Sequence, residues 1–392
     1  MFDQMWIVFQ KEVLDNLRDR RALATTLLST LMGPAIMLLL LMVIGRTVEQ
    51  QIEKPLELPV VGAEYAPNLI QFLKQNNVEI LPPPDDPEEQ VRVGDFEVVL
   101  VISRNFGENL QSGIPATVQL IVDDSRQSSA LDVKRAERLL QRYNDQIAAL
   151  RLITRGVSPS ILLPVLVETI DVATPQSQAA QLLGIMPYFI IFAVFLGGMQ
   201  LAVDTTSGER ERNSLEPLLI NPVPRRDLVL GKLAATVLFT TVSLLGTLIA
   251  FALLFNLVPL EDFVGTRVSL GVAALVRIFF ISLPMVGLAS AIQIVFAAFS
   301  RNTKEAQAYL SFLPLIPALP GMFLAFVPVK PTLWMILIPT FGQQLLINQI
   351  MRAEPVLPLN VWASVLMTLL IAVLLTILAI RLYHREQILF GR

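Results

Sequence analysis

Few residues in this chain could carry catalytic chemistry. The sequence has no cysteine and one histidine, His384, near the C-terminus, which argues against thiol nucleophiles, thiolate metal sites and histidine clusters. The only Gly-Lys pair, Gly231 and Lys232, precedes Leu233 and lacks the upstream glycine of G-x-x-x-x-G-K-[ST], a loop that would cradle nucleotide phosphates. We therefore expect no catalytic residue, no metal site and no cofactor bound by this chain.

The composition is that of a membrane protein. Of 392 residues, 54% are hydrophobic and 16% are charged, and the mean hydropathy is +0.60. The net charge of -3 gives no basic excess for binding phosphate backbones, so we expect no nucleic-acid partner. Seven uncharged runs reach about 20 residues, the length that crosses a bilayer core: 22–44, 182–203, 233–260, 278–300, 306–329, 331–351 and 355–380.

Basic residues set the predicted orientation. Lysines and arginines cluster in the short segments 11–21, 210–232, 301–304 and 381–392, which the positive-inside rule places in the cytoplasm. We therefore expect a protein of the plasma membrane with both termini in the cytoplasm. The number of crossings is then even, so one of the seven runs does not cross. The weakest run is 331–351, PTLWMILIPTFGQQLLINQIM, which we interpret as a re-entrant segment. The alternative is a polar seventh span with the C-terminus outside.

A long polar insert separates the first two runs. Apolar stretches of strand length at 56–61, 78–81, 96–102, 117–122 and 165–172 alternate with helical patterns at 68–75 and 129–155. This pattern indicates a small α/β or α+β domain. The predicted fold is therefore a mainly α membrane protein with six transmembrane helices, a re-entrant segment before the last helix, and an α/β extracytoplasmic insert domain.

The N-terminal residues predict an amphipathic helix along the inner membrane surface. The apolar stripe and the polar face lie on opposite sides of the predicted helix. The alternative is a plain cytoplasmic extension of the first span. The stripe consists of Phe2, Trp6, Phe9, Val13 and Leu17, and the polar face of Lys11, Asp15 and Arg18.

The apolar runs contain no aspartate or glutamate, which argues against coupling to an ion gradient through an intramembrane acid. Arg277 is the single ionisable residue at membrane depth; it either snorkels outward or lines a path for an anion. A sodium route would have to use amides, hydroxyls or carbonyls, and an apolar lipid-like or drug-like substrate is at least as compatible. The candidate translocation path comprises Arg277, Gln293, Gln343, Gln344 and Asn348.

The segment 204–232 is the best candidate for contact with another protein. Thr205, Thr206 or Ser207 could cap a short helix that starts with the charges of residues 209–212 and continues with a leucine ridge. Such a helix could lie in a groove of a partner and transmit its movement. The alternative is a solvated loop whose charges only enforce topology.

The string GERERNSLEPLLINPVPRRDLVLGK, from Gly208 to Lys232, closely resembles the coupling-helix hallmark of the permease subunits of the second class of ABC exporters. The resemblance extends to RNTKEAQ at 301–307 and to the terminal RLYHREQILFGR. The large insert between the first two spans is similar to the sodium-exporter, NatB-like branch. Asn213 and Asn221 depart from the glycine and from the serine or threonine that are usual at those positions.

This resemblance implies an ATP-driven exporter permease that works with a separate ABC ATP-binding subunit, where ATP and Mg are bound. It also implies a second permease chain, as a homodimer or a paralogous heterodimer. The competing interpretation is a membrane-anchored scaffold or sensor without transport. The residues that the resemblance assigns to ATPase coupling are Gly208, Glu209, Arg210, Glu211, Arg212, Leu215, Glu216, Pro217, Leu218 and Leu219.

The predicted domains follow from these assignments. They are an interfacial helix at 1–21, a first transmembrane helix at 22–44, an extracytoplasmic domain at 45–181, transmembrane helices two to six at 182–382, and a cytoplasmic tail at 383–392. The fourth of these includes the coupling segment 204–232 and the re-entrant segment 331–351.

Overall fold

A computed structural model gives the positions of most of the chain. The residues it describes are 2–123, 125–126, 129–162, 183–212, 214, 217, 223–257, 270–326 and 331–384. They divide into two compact units, one formed by Met1–Arg46 with Val172–Arg392 and the other by Thr47–Asp171. The predicted insert at 45–181 is longer than the second unit at both ends.

The first unit is helical in its described residues. In chain order the helices are α1 Phe2–Arg18, α2 Arg20–Glu53, α7 Met186–Gly197, α8 Met199–Val203, α9 Glu209–Glu211, α10 Arg225–Leu257, α11 Val272–Phe299, α12 Thr303–Phe312, α13 Leu315–Phe326, α14 Leu333–Ile336, α15 Phe341–Met351 and α16 Pro358–Tyr383. A π-helical turn, Asp204–Gly208, joins α8 to α9.

Five helical stretches among the described residues are long and apolar enough to cross a membrane: Ala22–Val43, Met186–Glu211, Arg225–Leu257, Val272–Phe299 and Pro358–Tyr383. The remaining expected crossing, 306–329, differs. It contains two short helices, α12 and α13, separated by a turn at Leu313 and Pro314. Pro314, which has no backbone N–H, lies in this turn, whereas Pro34, Pro284 and Pro320 lie inside helices. The six-span count stays a prediction.

The segment 331–351 is interrupted in the middle. α14 ends at Ile336 and α15 begins at Phe341, and between them Thr340 has a positive φ of 69°, a conformation that a β-branched residue rarely adopts. A Cβ on Gly342 would lie 2.1 Å from the carbonyl oxygen of Ile336, so only glycine fits there. The break between the two helices therefore lies beside Pro339 and Gly342, the proline and the glycine in the middle of this run. Entry and exit on one side of the membrane stay a prediction.

The second unit contains a four-stranded mixed sheet. Its elements are β1 Leu56–Val61, α3 Pro67–Gln75, β2 Val78–Leu81, α4 Pro87–Val93, β3 Val98–Ile102, α5 Phe106–Gln111, β4 Val118–Val122 and α6 Ala130–Thr154. The strand order is β2-β1-β3-β4, with β1 parallel to both β2 and β3, and β4 antiparallel to β3. Four predicted strands and both predicted helices are confirmed, whereas the predicted strand at 165–172 lies outside the described residues.

Helix α1 forms as predicted, and only part of its apolar stripe is buried within the chain. Trp6 and Leu17 are about half exposed, at 53% and 51%, whereas Phe9 and Val13 pack against a cluster of buried residues on α8 and α10. The face that meets α10 also carries a glutamate, Glu12, which is only 3% exposed. The position of this helix along the inner membrane surface stays a prediction.

Candidate functional site

The predicted coupling segment begins inside the long helical stretch Met186–Glu211. Residues 204–211 are the last turns of the stretch Met186–Glu211 rather than the start of a separate helix. The Thr205 hydroxyl donates to the Leu201 carbonyl at 2.8 Å, and the Ser207 hydroxyl donates to the Val203 carbonyl at 3.0 Å. These are backward bonds within a helix, so the expectation that these residues cap a short helix was wrong.

A buried lysine lies against this helix end. The side chain of Lys232, in the second turn of α10, has no solvent exposure. Its Nζ lies 2.5 Å from Glu209 Oε2 and 3.4 Å from Glu12 Oε1, and it also donates to the carbonyl oxygen of Thr205. An ammonium has three N–H donors, and the three acceptors found here come from α1, α9 and the π-helical turn.

A second lysine balances the charge of this cluster. Lys11 Nζ lies 3.3 Å from Glu209 Oε1 and 3.2 Å from Glu12 Oε1, and its side chain is 46% exposed. The two lysines and two glutamates are together neutral, which is the condition under which buried charges are tolerated. We call Lys11, Glu12, Glu209 and Lys232 the ion cluster.

A glycine allows α1 to approach the ion cluster. A Cβ on Gly231 would lie 2.7 Å from Val8 Cβ and 3.0 Å from the Met5 carbonyl oxygen. The absence of a side chain at Gly231 therefore lets the two helices pack closely, and the next residue, Lys232, can reach Glu12. The Gly-Lys pair has a structural role at this crossing.

The other charges of residues 209–212 bind other elements. The Arg210 guanidinium donates to the carbonyls of Ser300 and Ala298, at 2.8 and 2.7 Å, at the C-terminal end of α11. Glu211 accepts from the backbone N–H and the hydroxyl of Thr303, at 3.0 and 2.7 Å, at the start of α12. Both contacts have the sign that a helix dipole favours.

The last of these four charged residues, Arg212, forms an ion pair with a residue of the same helical stretch. Arg212 pairs with Asp204 at 3.3 Å. The side chain of Arg212 is 65% exposed, so this pair should contribute little to stability. Among these four charges, Glu209 is therefore the most deeply integrated and Arg212 the least.

The predicted coupling residues fall into two groups. Gly208 lies at the end of the π-helical turn, and Glu209 to Glu211 bind other helices of the same chain. Pro217 is described, whereas Leu215, Glu216, Leu218 and Leu219 lie outside the described residues. Contact of this segment with a partner therefore stays a prediction.

Sequence reasoning missed the ion cluster. Glu12 stands in an apolar neighbourhood, with Val8 and Phe9 one turn before it and Val13 directly after it. An acid on such a helix face needs a buried partner, and this signal was present in the sequence. The identity of the partner was not, because Glu12 and Lys232 are 220 residues apart.

The glutamines of the candidate translocation path are all buried. Gln293 donates to the Phe195 carbonyl at 2.7 Å, Gln343 to the Thr368 hydroxyl at 2.6 Å, and Gln344 to the Pro317 carbonyl at 2.8 Å. The amide oxygens of all three have no hydrogen-bond partner among the described residues. These contacts attach each glutamine to a different element and do not join the glutamines to one another.

The other two path residues are less buried. Asn348 is half-buried on α15, and Arg277 is exposed on the second turn of α11. Arg277 lines a cavity of about 270 Å³ together with Ile350, Met351 and Glu354. The two roles predicted for Arg277, snorkelling and contact with an anion, both stay predictions.

Comparison with known proteins identifies the family. The sequence model of a protein family described as ABC-2 family transporter protein matches residues 24–381 of this chain. The chain belongs to this family. It is also 26% identical over 352 residues to the ABC transporter permease protein NatB of Bacillus subtilis (strain 168), an alignment that covers 88% of this chain and 89% of that protein. The resemblance drawn from the coupling-helix string is thereby confirmed, and the protein is a membrane subunit of an ABC transporter.

We expect Lys232→Met to destabilise this ABC-2 permease by about 3 to 5 kcal/mol, because it leaves two buried carboxylates with one partly exposed lysine. Denaturant titration in mixed micelles would measure the change. Adding Glu209→Gln to Lys232→Met should recover part of the loss, since it removes the second charge of the pair. Arg212→Gln is the control and should cost at most about 1 kcal/mol. Equal losses for Lys232→Met and Arg212→Gln would contradict this account of the ion cluster.

Proposed function

We propose that this permease is the membrane subunit of an ATP-driven exporter, which moves a substrate outward across the plasma membrane while a separate subunit hydrolyses ATP. The observation that carries the proposal is the set of contacts made by Glu209, Arg210 and Glu211. They attach the end of the second membrane helix to α1, α10, α11 and α12. A partner that displaces this helix end would displace all four elements with it.

The coupling step would use the ion cluster as a rigid joint. The contact between Lys232 and Glu209 is short and buried, so separating the two groups without a replacement partner is costly. The neighbouring π-helical turn at Asp204–Gly208 has a wider hydrogen-bond register than an α-helix, and π-turns occur frequently at functional sites. We infer that force from the ATP-binding subunit passes through residues 209–212 while the π-turn absorbs small changes in register.

The contact with the ATP-binding subunit would lie further along the segment. The side chains of Glu209, Arg210 and Glu211 already bind within the chain, whereas the leucine ridge follows them in the sequence. We propose that Leu215, Leu218 and Leu219 provide the buried part of the contact, at about 1 to 3 kcal/mol for a well-buried anchor. The functional unit would contain two permease chains and two ATP-binding subunits.

Binding and transmission can be tested separately. Leu215→Ala with Leu218→Ala should weaken co-purification of the ATP-binding subunit, because it removes apolar contact. Glu209→Gln should preserve co-purification but reduce the transport obtained per ATP hydrolysed, because it weakens the joint to Lys232. Leu374→Ala, on an exposed face of α16, is the matched control and should change neither quantity.

The measurements require reconstituted vesicles that contain both subunits, with protein level and monodispersity checked for each variant. Transport that continues without nucleotide and stops when the ion gradient is dissipated would refute the assignment to an ATP-driven exporter. A chain that binds no ATP-binding subunit and moves no substrate would favour the scaffold or sensor interpretation.

The proposed topology has six crossings, cytoplasmic termini and the second unit outside the cell. The sixth crossing would be formed by α12 and α13 together, and 331–351 would enter and leave from the outer side. The interrupted backbone between α14 and α15 supports this, because non-helical backbone at membrane depth has to be shielded by protein or line a water-filled cavity. The positive φ of Thr340 and the close packing of Gly342 against the Ile336 carbonyl are the specific features of this interruption.

Since the chain has no native cysteine, single cysteines can test the topology without background. An impermeant maleimide applied from outside should label Ser112→Cys and leave Ser214→Cys unlabelled. Lys330→Cys and Glu354→Cys should both be labelled from outside, because the segment between them does not cross. Labelling of these two positions from opposite sides would establish a seventh span. Labelling of Ser214→Cys but not Ser112→Cys from outside would show that the orientation is inverted.

A further inference from the structure

The second unit contains a groove beside the edge of its sheet. The groove has a volume of about 830 Å³, within the range of small-molecule sites. Strand β4 forms one edge of the sheet, and its apolar side chains Val118, Leu120 and Val122 are only half-buried against the core of this unit. The apolar surface of the groove comes from Val118 and Leu120 of β4, Phe106 and Leu110 of α5, and Leu140 and Ile147 of α6.

A buried tyrosine faces this groove. Tyr143 of α6 is 9% exposed and lines the groove, yet its hydroxyl has no hydrogen-bond partner among the described residues. Its ring packs against Phe72, with the ring centroids 5.3 Å apart, which fixes its orientation. Burial raises the pKa of the Tyr143 phenol, so the group stays protonated at neutral pH and can donate a hydrogen bond.

A buried hydroxyl without a partner destabilises a fold, and native structures contain few. Because Tyr143 lines the groove, a ligand bound there that carries an acceptor would provide the missing partner.

The rim of the groove is polar and carries an excess of positive charge. Among the described residues that line the groove, Arg138 and Arg151 are the cations and Glu137 is the one acid. Arg138 donates through Nε to the Lys134 carbonyl at 3.1 Å, and Arg151 donates through one terminal nitrogen to the Leu110 carbonyl. Each guanidinium has five donors, so both keep N–H groups for an anion.

We propose that this groove binds an anionic amphiphile, with an apolar chain along β4 and α5 and its charged group at Tyr143, Arg138 and Arg151. An apolar floor, one buried donor and a cationic rim together match such a molecule. An extended peptide added to the edge of β4 would bind mainly through the backbone and would leave the Tyr143 hydroxyl without a partner. The proposal assigns a ligand to the second unit and is independent of ATP coupling.

The full chain in lipid nanodiscs can be tested with dodecanoate as the probe. Ala148 lines the groove, so the thiol of Ala148→Cys should react readily with an impermeant maleimide and should be protected at least fivefold by dodecanoate. Dodecyltrimethylammonium, a cation with the same chain length, should protect it much less. Glu79→Cys, exposed on β2 at the opposite edge of the sheet, is the control and should not be protected.

Two substitutions test the contacts with the charged group. Tyr143→Phe in the Ala148→Cys chain removes the hydroxyl alone, and it should weaken protection by dodecanoate about tenfold, as expected for one hydrogen bond to a charged acceptor. Because that hydroxyl is unpaired in the free protein, Tyr143→Phe should not lower the thermal stability. Arg138→Gln should also weaken protection, without affecting the reactivity of Glu79→Cys.

Several results would overturn the proposal. Equal protection by the anionic and cationic amphiphiles would show that the arginines of the rim do not select an anion. Unchanged protection in Tyr143→Phe would show that the buried hydroxyl does not bind the ligand. Slow modification of Ala148→Cys without any amphiphile would mean that the groove is closed in the free protein and cannot admit a ligand. Absence of protection would mean that no amphiphile of this size binds.

Discussion

The burial of one lysine side chain constrains much of the helical unit. The Lys232 ammonium has no solvent exposure, so it needs negative charge and three acceptors within the protein. Glu12, Glu209 and the Thr205 carbonyl provide them. Because these groups belong to α1, α9 and the π-helical turn, their positions are fixed relative to α10. None of the three can move away alone without leaving a buried charge or donor unpaired.

Other features of the same region follow from this constraint. Gly231 permits the close approach of α1, without which Glu12 could not reach Lys232. The π-helical turn brings the Thr205 carbonyl to the lysine, where a side chain replaces part of the usual helical hydrogen bonding. Arg210 and Glu211 follow directly, and they bind the end of α11 and the start of α12. The charged string GERE is therefore the point where several helices of this chain are joined.

The sequence predicted the regular elements well where the local pattern decides them. Strands β1 and β2 were predicted with the same limits as observed, since each is a short apolar run. Hydropathy identified the five long helices, but it responds to composition and not to the backbone hydrogen bonds that end a helix, so it did not predict the division between α12 and α13. Periodicity likewise shows that a helix has faces but not which helix meets each face. Glu12 therefore remained unpaired in the sequence and is paired in the structure.

Two buried glutamines, Gln343 and Gln344, connect the interrupted segment 331–351 to the neighbouring helices. Gln344 binds the Pro317 carbonyl of α13, and Gln343 binds the Thr368 hydroxyl of α16, so α15 is held on two sides. Helices α11 and α16 pack along one another, and the end of α11 is bound by Arg210. An unbroken series of contacts thus leads from the charged helix end through α11 and α16 to α15. Packed helices respond to displacement by discrete shifts, so such a series is the kind of connection that coupling between the two regions requires. Among the residues that the structure describes, the amide oxygens of Gln343 and Gln344, which have no hydrogen-bond partner, lie at the far end of this series.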